Sequence, residues 1–466
     1  MSQIQETFNQ IETDLKKNNV PGGIIALSYK GEITNSQNFG YRNIEKQLPV
    51  NEETVFGLAS ITKIFTAIAI MQLQEEGKLS VGDFIVDHIP EFYIKDQIER
   101  KKITIHHFLT HSSGLPPMSS LEYAMKLPDK DHPSTFKHVG EDENQKLLDS
   151  YSDLLQFIKD KDVDLIAEPG QLFSYSNEAY GLLGLIIERT SGQSYKKYVY
   201  DHIIQPCGME HTQFTIEDYS SYENITSSYG KSAKDTLETM KADTYWMDST
   251  PMRSTGFLKS TAKDMMKFSQ VFINGGCVDQ HQILSEQSVK QMMKSHMRVQ
   301  LGRYYGYGLS IVPDYYGSTL IEHGGSLRAV SSNFSIIPEK GVSGICLTNL
   351  IGVTVGTYLH QCLNVYFNRD KDDTFTTYEE IDVATEDLFK YEGTYTSQEG
   401  VHIELKVNND ALEFNVDKDS FKTKFVQENI FLVYFKQSES LVEVLKNPDD
   451  EPYALLYNTR VVKRVL

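Results

Sequence analysis

The chain has 466 residues, more than one compact core usually spans, so a large domain with room for a second is expected. Its 64 acidic against 45 basic side chains leave a net charge of −19, which argues against nucleic acid and anionic membrane surfaces as partners. The cysteines Cys207, Cys277, Cys346 and Cys362 stand apart with no Cys-x-x-Cys pairing, so neither a disulfide framework nor a cysteine metal site is indicated.

Residues 2–17 carry a one-sided apolar stripe, Ile4, Phe8, Ile11 and Leu15, and predict an amphipathic helix packed on a core. No signal-peptide core or membrane-spanning run follows, which, with Met1 as the native start, predicts a cytoplasmic protein.

In Phe56-Gly57-Leu58-Ala59-Ser60-Ile61-Thr62-Lys63, a serine precedes a lysine by three positions. On a helix that spacing puts both side chains on one face, where the amine could take the hydroxyl's proton if burial depresses its pKa. The apolar run Ile64–Leu73 predicts a buried helix that closes at Gly77. The same Ser-x-x-Lys spacing recurs at Ser134, Ser194, Ser228 and Ser260, so the pattern carries weight only in company.

Residues 118–161 are unusually charged, and residues 219–252 are polar and aromatic and hold the only tryptophan, Trp246. Both are long enough to be lids over an active-site face, or plain surface excursions. Between them, Tyr175-Ser176-Asn177 follows the Pro169-Gly170 turn and places a phenol and an amide two residues apart. Farther on, His323-Gly324-Gly325-Ser326 opens a strand-like run in which glycines allow close approach of another backbone. Arg328, just beyond, could bind a carboxylate or make a surface ion pair, and Arg253 raises the same question.

Residues 368–388 are polar and charge-dense, as expected of a linker. From Tyr391 the chain alternates apolar and polar residues, with a hairpin turn at Asn408 to Asp410 and further strand-like runs at 429–435, 441–445 and 453–457. These predict a small antiparallel barrel or sandwich whose interior is filled by side chains rather than hollow.

The order Ser-x-x-Lys, Tyr-x-Asn, His-x-Gly, with gaps exceeding a hundred residues, resembles the serine hydrolases of the β-lactamase and penicillin-binding-protein superfamily. The branch with class C β-lactamases, D-aminopeptidases, D-peptidases and esterases is the nearest in kind. Pro21–Leu27, Ile103–Pro116 and Ser254–Met266 look like other stretches of the same family, and the resemblance covers about residues 10 to 365. It implies an α/β (α+β) β-lactamase-like transpeptidase fold, an antiparallel sheet flanked by helices plus an all-helical region, over residues 1–367, then the linker 368–388. The C-terminal part, 389–466, resembles the lipocalin-like barrels attached to several such hydrolases.

By that resemblance Ser60 is the acylated nucleophile, Lys63 its base, and Tyr175 shares acid and base work. Asn177 would bind the substrate amide or help orient Lys63, His323, Gly324 and Gly325 would bind substrate, and the backbone N–H groups of Ser60 and Ser326 would form the oxyanion hole. The departure from the penicillin-recognising pattern is His323, where those enzymes usually present a lysine, so carboxylate recognition there rests on a residue charged only part of the time. The expected activity is hydrolysis of small amides, short peptides or esters, D-amino acid residues among them. The alternatives are a β-lactamase or DD-carboxypeptidase-like activity, or a non-catalytic binder of peptide or cell-wall fragments. No metal or cofactor is expected, because the histidines, including His106, His107 and His111, are unclustered and explained by packing.

Overall fold

The structure is a computed structural model that describes residues 2–124, 147–219, 221–230, 240, 242–243, 246, 248–416, 419–435 and 439–465. The unbroken apolar run at Ile24–Leu27 becomes the middle of a strand buried up to its last residue, Tyr29. It belongs to a nine-stranded antiparallel sheet. In chain order the strands are β1 (Gly22–Tyr29), β2 (Glu32–Asn43), β3 (Leu48–Pro49), β4 (Met297–Gln300), β5 (Arg303–Tyr305), β6 (Ser310–Val312), β7 (Leu320–Leu327), β8 (Val330–Ile337) and β9 (Val342–Thr348). In space they run β4-β5-β6-β7-β8-β9-β1-β2-β3, so the last strand of the series returns beside the first. Ile25 faces Cys346 across that junction.

Because successive side chains on a strand point to opposite faces, Ile24 and Ala26 join one core while Ile25 and Leu27 join another. The second core is closed by helices α1 (Gln3–Lys17) and, near the end of this region, α5 (Val355–Tyr366), which pack on each other. Phe8, Ile11 and Leu15 of the N-terminal stripe are the residues it buries. The first core lies under α4 (Ala262–Ile273) and extends into a helical region built on α2 (Thr62–Glu75) and α3 (Asn177–Ser191). Helix α2 is buried on every side from Thr62 to Met71, so it has no polar face to present. It ends as its sequence indicates: Gly77 sits at φ 69° and donates to Gln74 O while Lys78 donates to Leu73 O, the paired bonds of a Schellman cap.

The C-terminal strands close into an eight-stranded barrel. They are β10 (Gly393–Thr396), β11 (His402–Asn408), β12 (Ala411–Val416), β13 (Asp419–Gln427), β14 (Ile430–Tyr434), β15 (Glu439–Lys446), β16 (Pro452–Tyr457) and β17 (Arg460–Val465). Side chains fill it, among them Tyr395, Leu405, Phe414, Phe431, Val444 and Leu455. The turn between β11 and β12 has Asn409 and Asp410 at φ 45° and 60°, the left-handed pair a tight hairpin needs.

The barrel docks on the sheet-and-helix body through two apolar seams. Ala454, Leu456 and Val461 meet Ile166 and Leu172, and Val426, Ile430 and Leu432 meet Leu301. Arg298 and Glu443 pair across the same boundary.

Of the two stretches read as lids, 125–146 in the first, and 220, 231–239, 241, 244–245 and 247 in the second, lie outside the described residues. The described part of the first includes helix Tyr151–Asp160, whose Tyr151, Leu154 and Ile158 are buried in the main core. Among the described residues, no helix is long and apolar enough to cross a membrane.

Candidate active site

Ser60 lies in a single 3₁₀ turn, Ala59–Ile61, that leads directly into α2. The turn is held from three sides. Leu58 donates its N–H to Leu258 O at 2.9 Å, its carbonyl accepts from Ser332 Oγ at 2.7 Å, and Thr62 Oγ1 donates to Ala59 O at 2.7 Å. Ala59 is in the left-handed region at φ 48°, a conformation that costs about 1–3 kcal/mol for a residue with a Cβ and persists only where the surroundings enforce it. Strand β7 runs against this turn so closely that a Cβ on Gly325 would meet Leu58 O at 2.4 Å and Ala59 Cβ at 3.0 Å. That contact is the physical reason for the second glycine of the His-Gly-Gly motif.

The eclipsed i, i+3 geometry of a 3₁₀ turn brings Lys63 Nζ to 3.2 Å from Ser60 Oγ. The same amine donates to Asn177 Oδ1 at 2.9 Å and to Thr255 O at 2.7 Å. Lys63 is fully buried, and burial, reinforced by the nearby Arg460 charge, pushes its pKa well below the usual lysine range. A neutral amine has two hydrogens and one lone pair. The two carbonyl oxygens can only accept, so they take the hydrogens, and the lone pair is left facing the Ser60 hydroxyl.

Tyr175 precedes α3 and is positioned by three ring neighbours. His111 stacks on it at 4.1 Å, Lys63 Nζ lies 4.9 Å from its ring centre, and the Arg460 guanidinium lies 4.5 Å from it. Burial raises its phenol to about 12, against the opposing pull of the Ser60 hydroxyl and the Arg460 charge, so it is a proton carrier rather than a standing anion. Ser176 caps α3 by accepting from Ala179 N–H, which fixes Asn177 as the first helical residue. His111 Nδ1 accepts from Ser176 N–H at 3.1 Å, so this histidine of the packed loop also sets the Tyr175–Asn177 segment.

His323 lies in β7 with both ring nitrogens engaged by the protein. Nδ1 faces Gly324 O at 2.6 Å and must donate there, so Nε2 accepts from the Tyr305 hydroxyl at 2.8 Å. Burial, with the Lys63 charge nearby, lowers its pKa to about 4. At neutral pH the residue at the lysine position of the penicillin-recognising pattern is therefore an uncharged, hydrogen-bonded imidazole. Next to it, burial works against the charge of Glu322, but His360 and Arg303 more than offset it and hold the carboxyl below its usual range.

Ser60, Tyr175, His323, Gly324, Gly325 and Ser326 line one cleft of about 760 Å³. Asn177 reaches it through Lys63. Arg328 sits elsewhere: two positions past Ser326 the chain turns from β7 into β8, and Arg328 borders a separate small hollow with Trp246 and Lys259. Arg253 donates from Nε to Asp248 at 2.8 Å. Among the described residues, neither presumed lid stretch lines the Ser60 cleft. Its outer wall comes instead from the barrel, as Glu399, Asn458, Thr459 and Arg460, which the sequence did not flag. A turn at Asn458-Thr459 can be read from the strand-like runs around it; its docking beside Tyr175 has no local signal. Tyr305 was missed as well, as was Thr255, which contributes only its carbonyl. Among the described residues, no group of three or more His, Cys, Asp or Glu side chains converges as a metal site.

Comparison with known proteins gives the family. Protein Flp of Staphylococcus aureus (strain MW2) is 27% identical over 346 residues, 74% of this chain and 63% of that protein. The chain thus spans less than two thirds of that relative's length. PbpX of Bacillus subtilis (strain 168), described as a penicillin-binding protein, is 26% identical over 322 residues, covering 69% of this chain and 68% of that one. An octameric penicillin-binding protein homologue from Pyrococcus abyssi superimposes with a TM-score of 0.71 at 26% identity, covering 99% of this chain and 100% of its own. SurE in complex with D-Leu, at 18% identity and a TM-score of 0.68, shares the fold over 99% and 98% of the two chains. The Beta-lactamase family model matches residues 8–354, and the chain belongs to that family.

Proposed function

We propose that this protein is a serine hydrolase that forms an acyl-enzyme at Ser60 and cleaves small amides, short peptides or esters, including those with D-amino acid residues. The observation that carries the reading is the buried Lys63 amine, whose Nζ lies 3.2 Å from Ser60 Oγ and within hydrogen-bond distance of Asn177 Oδ1 and Thr255 O; unprotonated, it gives its two hydrogens to those carbonyls and turns its lone pair to Ser60. Lys63 takes the Ser60 proton as the hydroxyl oxygen attacks the carbonyl carbon. The oxyanion forms against the backbone N–H groups of Ser60 and Ser326. Tyr175, protonated at neutral pH, gives a proton to the departing amine or alcohol, and the Tyr175–Lys63 pair then takes one from the water that releases the acid.

A β-lactamase or DD-carboxypeptidase-like activity is the second reading, favoured by the penicillin-binding description of PbpX and of the Pyrococcus abyssi homologue. The neutral, internally bonded His323 weighs against it, because it offers no cation where that pattern places a lysine. Turnover of p-nitrophenyl esters, D- and L-aminoacyl amides, nitrocefin and a D-Ala-D-Ala peptide by wild type and Ser60→Ala separates the readings. Amide or ester turnover lost in Ser60→Ala supports the first, and efficient nitrocefin hydrolysis would promote the second.

A further inference from the structure

The hairpin between β16 and β17 is built to place one side chain. Its two turn residues, Asn458 and Thr459, have φ 47° and 66°. Threonine is β-branched and seldom adopts that conformation, so something must hold it there. The catalytic body does so: Tyr175 N–H donates to Thr459 O at 3.2 Å. The next residue, Arg460, lies across the Tyr175 ring inside the cleft that contains Ser60. Its Nε donates to Glu399 Oε2 at 2.7 Å and its Nη1 to Thr459 Oγ1 at 3.1 Å. Nη2 has no protein partner among the described residues. The end of the guanidinium away from Nε, one hydrogen on each Nη, is open to the cleft, in the fork that matches a carboxylate.

Two other groups lining the cleft bear on an anion there. His323 is engaged at both nitrogens, and Arg303 is paired through Nη1 with the buried Glu322, which also accepts from His360. Among the described residues both arginines keep unused donors, and Arg460 is the one that packs on Tyr175.

We propose that Arg460 is the carboxylate receptor of this active site, binding the free α-carboxylate of the amino acid that leaves when the acyl-enzyme forms. Its position selects the leaving side, because Arg460 packs on Tyr175, the group that gives the proton to the leaving nitrogen, and an α-carboxylate is one carbon from that nitrogen. The inference rests on the acyl-enzyme reading above. It assigns to the barrel a recognition task that the penicillin-recognising pattern gives to the sheet, and it makes the preferred substrate a peptide cut one residue from its free C-terminus, which is the carboxypeptidase-like form of the second reading above with its cation carried by the barrel instead of by His323.

The test uses the full chain and reads labelling of Ser60 by a fluorophosphonate, followed by intact mass, with Ala-D-Ala, Ala-L-Ala or their C-terminal amides as competitors at pH 7. Because the Arg460 charge also bears on Lys63 and Tyr175, absolute labelling rates shift in its variants, and the ratio of protection by acid to protection by amide is the quantity compared. In wild type the preferred acid should protect at a concentration on the order of ten-fold lower than its amide, the scale of one charge-assisted contact. Arg460→Gln should bring that ratio to about one, and Arg460→Lys, which keeps the charge without the fork, should retain part of it. Equal protection by acid and amide in wild type, including none by either, overturns the proposal, as does an unchanged ratio in Arg460→Gln. Failure of folded wild type to label at Ser60 overturns the acyl-enzyme reading beneath it, a result distinct from labelling without discrimination.

Discussion

The floor and the wall of the cleft are built on different physical plans. On the floor, Ser60 sits on a 3₁₀ turn that runs into a helix buried all round, and the Lys63 amine on that helix faces Ser60, Asn177 and Thr255. On the wall, Arg460 hangs from a two-residue turn, packs on the Tyr175 ring and pairs with one half-buried carboxylate, Glu399. The difference teaches where tolerance lies: bond-making groups are set by core packing that cannot yield, whereas the cation that would choose among substrates is carried on a hairpin that can change without disturbing the core.

The sharpest way to break the comparison is at the floor. Ser60→Ala and Lys63→Ala should each lower kcat/KM for an ester such as p-nitrophenyl acetate by about 10⁴-fold or more, since groups acting as a unit fail together. Stopped-flow acylation rates check this, and a Lys63→Ala variant within ten-fold of wild type would remove the amine from the role of base. Tyr175→Phe, which keeps the ring that His111 and Arg460 pack on, should cost roughly 10²–10³-fold, with amides losing more than activated esters because only amides need a proton on the leaving group.

Gly325→Ala attacks the seam between β7 and the nucleophile turn. A Cβ there would meet Ser332 Oγ at 2.3 Å and Leu58 O at 2.4 Å, so the strand must shift. The expected cost is about 2 kcal/mol in thermal unfolding together with loss of acylation; a native melting curve with full activity would show that the close approach is not required.

The pH profile sharpens the contrast between floor and wall. In the proposed mechanism Lys63 works in its unprotonated form, so kcat/KM should rise with pH as it deprotonates, well below the usual lysine range, and Tyr175, at about 12, should impose no falling limb in the working range. Removing the Arg460 charge makes the protonated amine easier to keep, so in Arg460→Gln the rising limb should move to higher pH. A limb that stays in place would show that the guanidinium does not act on Lys63. The smallest effect lies away from the cleft. Gly77→Ala, at φ 69° with open space around the added methyl, should cost about 1 kcal/mol of stability and leave kinetics unchanged.

The residues of the floor could be picked out in the sequence by the order of three motifs and the family resemblance, no single spacing being enough. Ser60 and Lys63 are one turn apart, Tyr175 and Asn177 straddle a helix cap, and the glycines after His323 announce a close backbone approach. The charge state of His323 was not legible, since it depends on burial and on Tyr305, a residue on a neighbouring strand. Arg328 shows how sequence proximity misleads: in a hairpin, two residues carry a side chain out of the cleft, whereas Arg460, far along the chain, is carried into it. The barrel strands flanking Asn408 to Asp410 and those at 429–435, 441–445 and 453–457 could be anticipated from alternation and turns, but Asp419–Gln427 and Arg460–Val465 were not, and the side of the barrel that meets the sheet is written in two small apolar seams with no period of their own. The charged and aromatic insertions, read as either lids or plain surface excursions, do not line the Ser60 cleft among the described residues, whereas the barrel tip does.

The measurement that tests the central claim most directly is intact-mass spectrometry of the full chain after exposure to p-nitrophenyl acetate and to a fluorophosphonate, with peptide mapping of any adduct. The account predicts one adduct per chain, on Ser60, absent from Ser60→Ala and formed far more slowly in Lys63→Ala. Folded wild-type protein that takes no adduct, or an adduct that persists in Ser60→Ala, would contradict it.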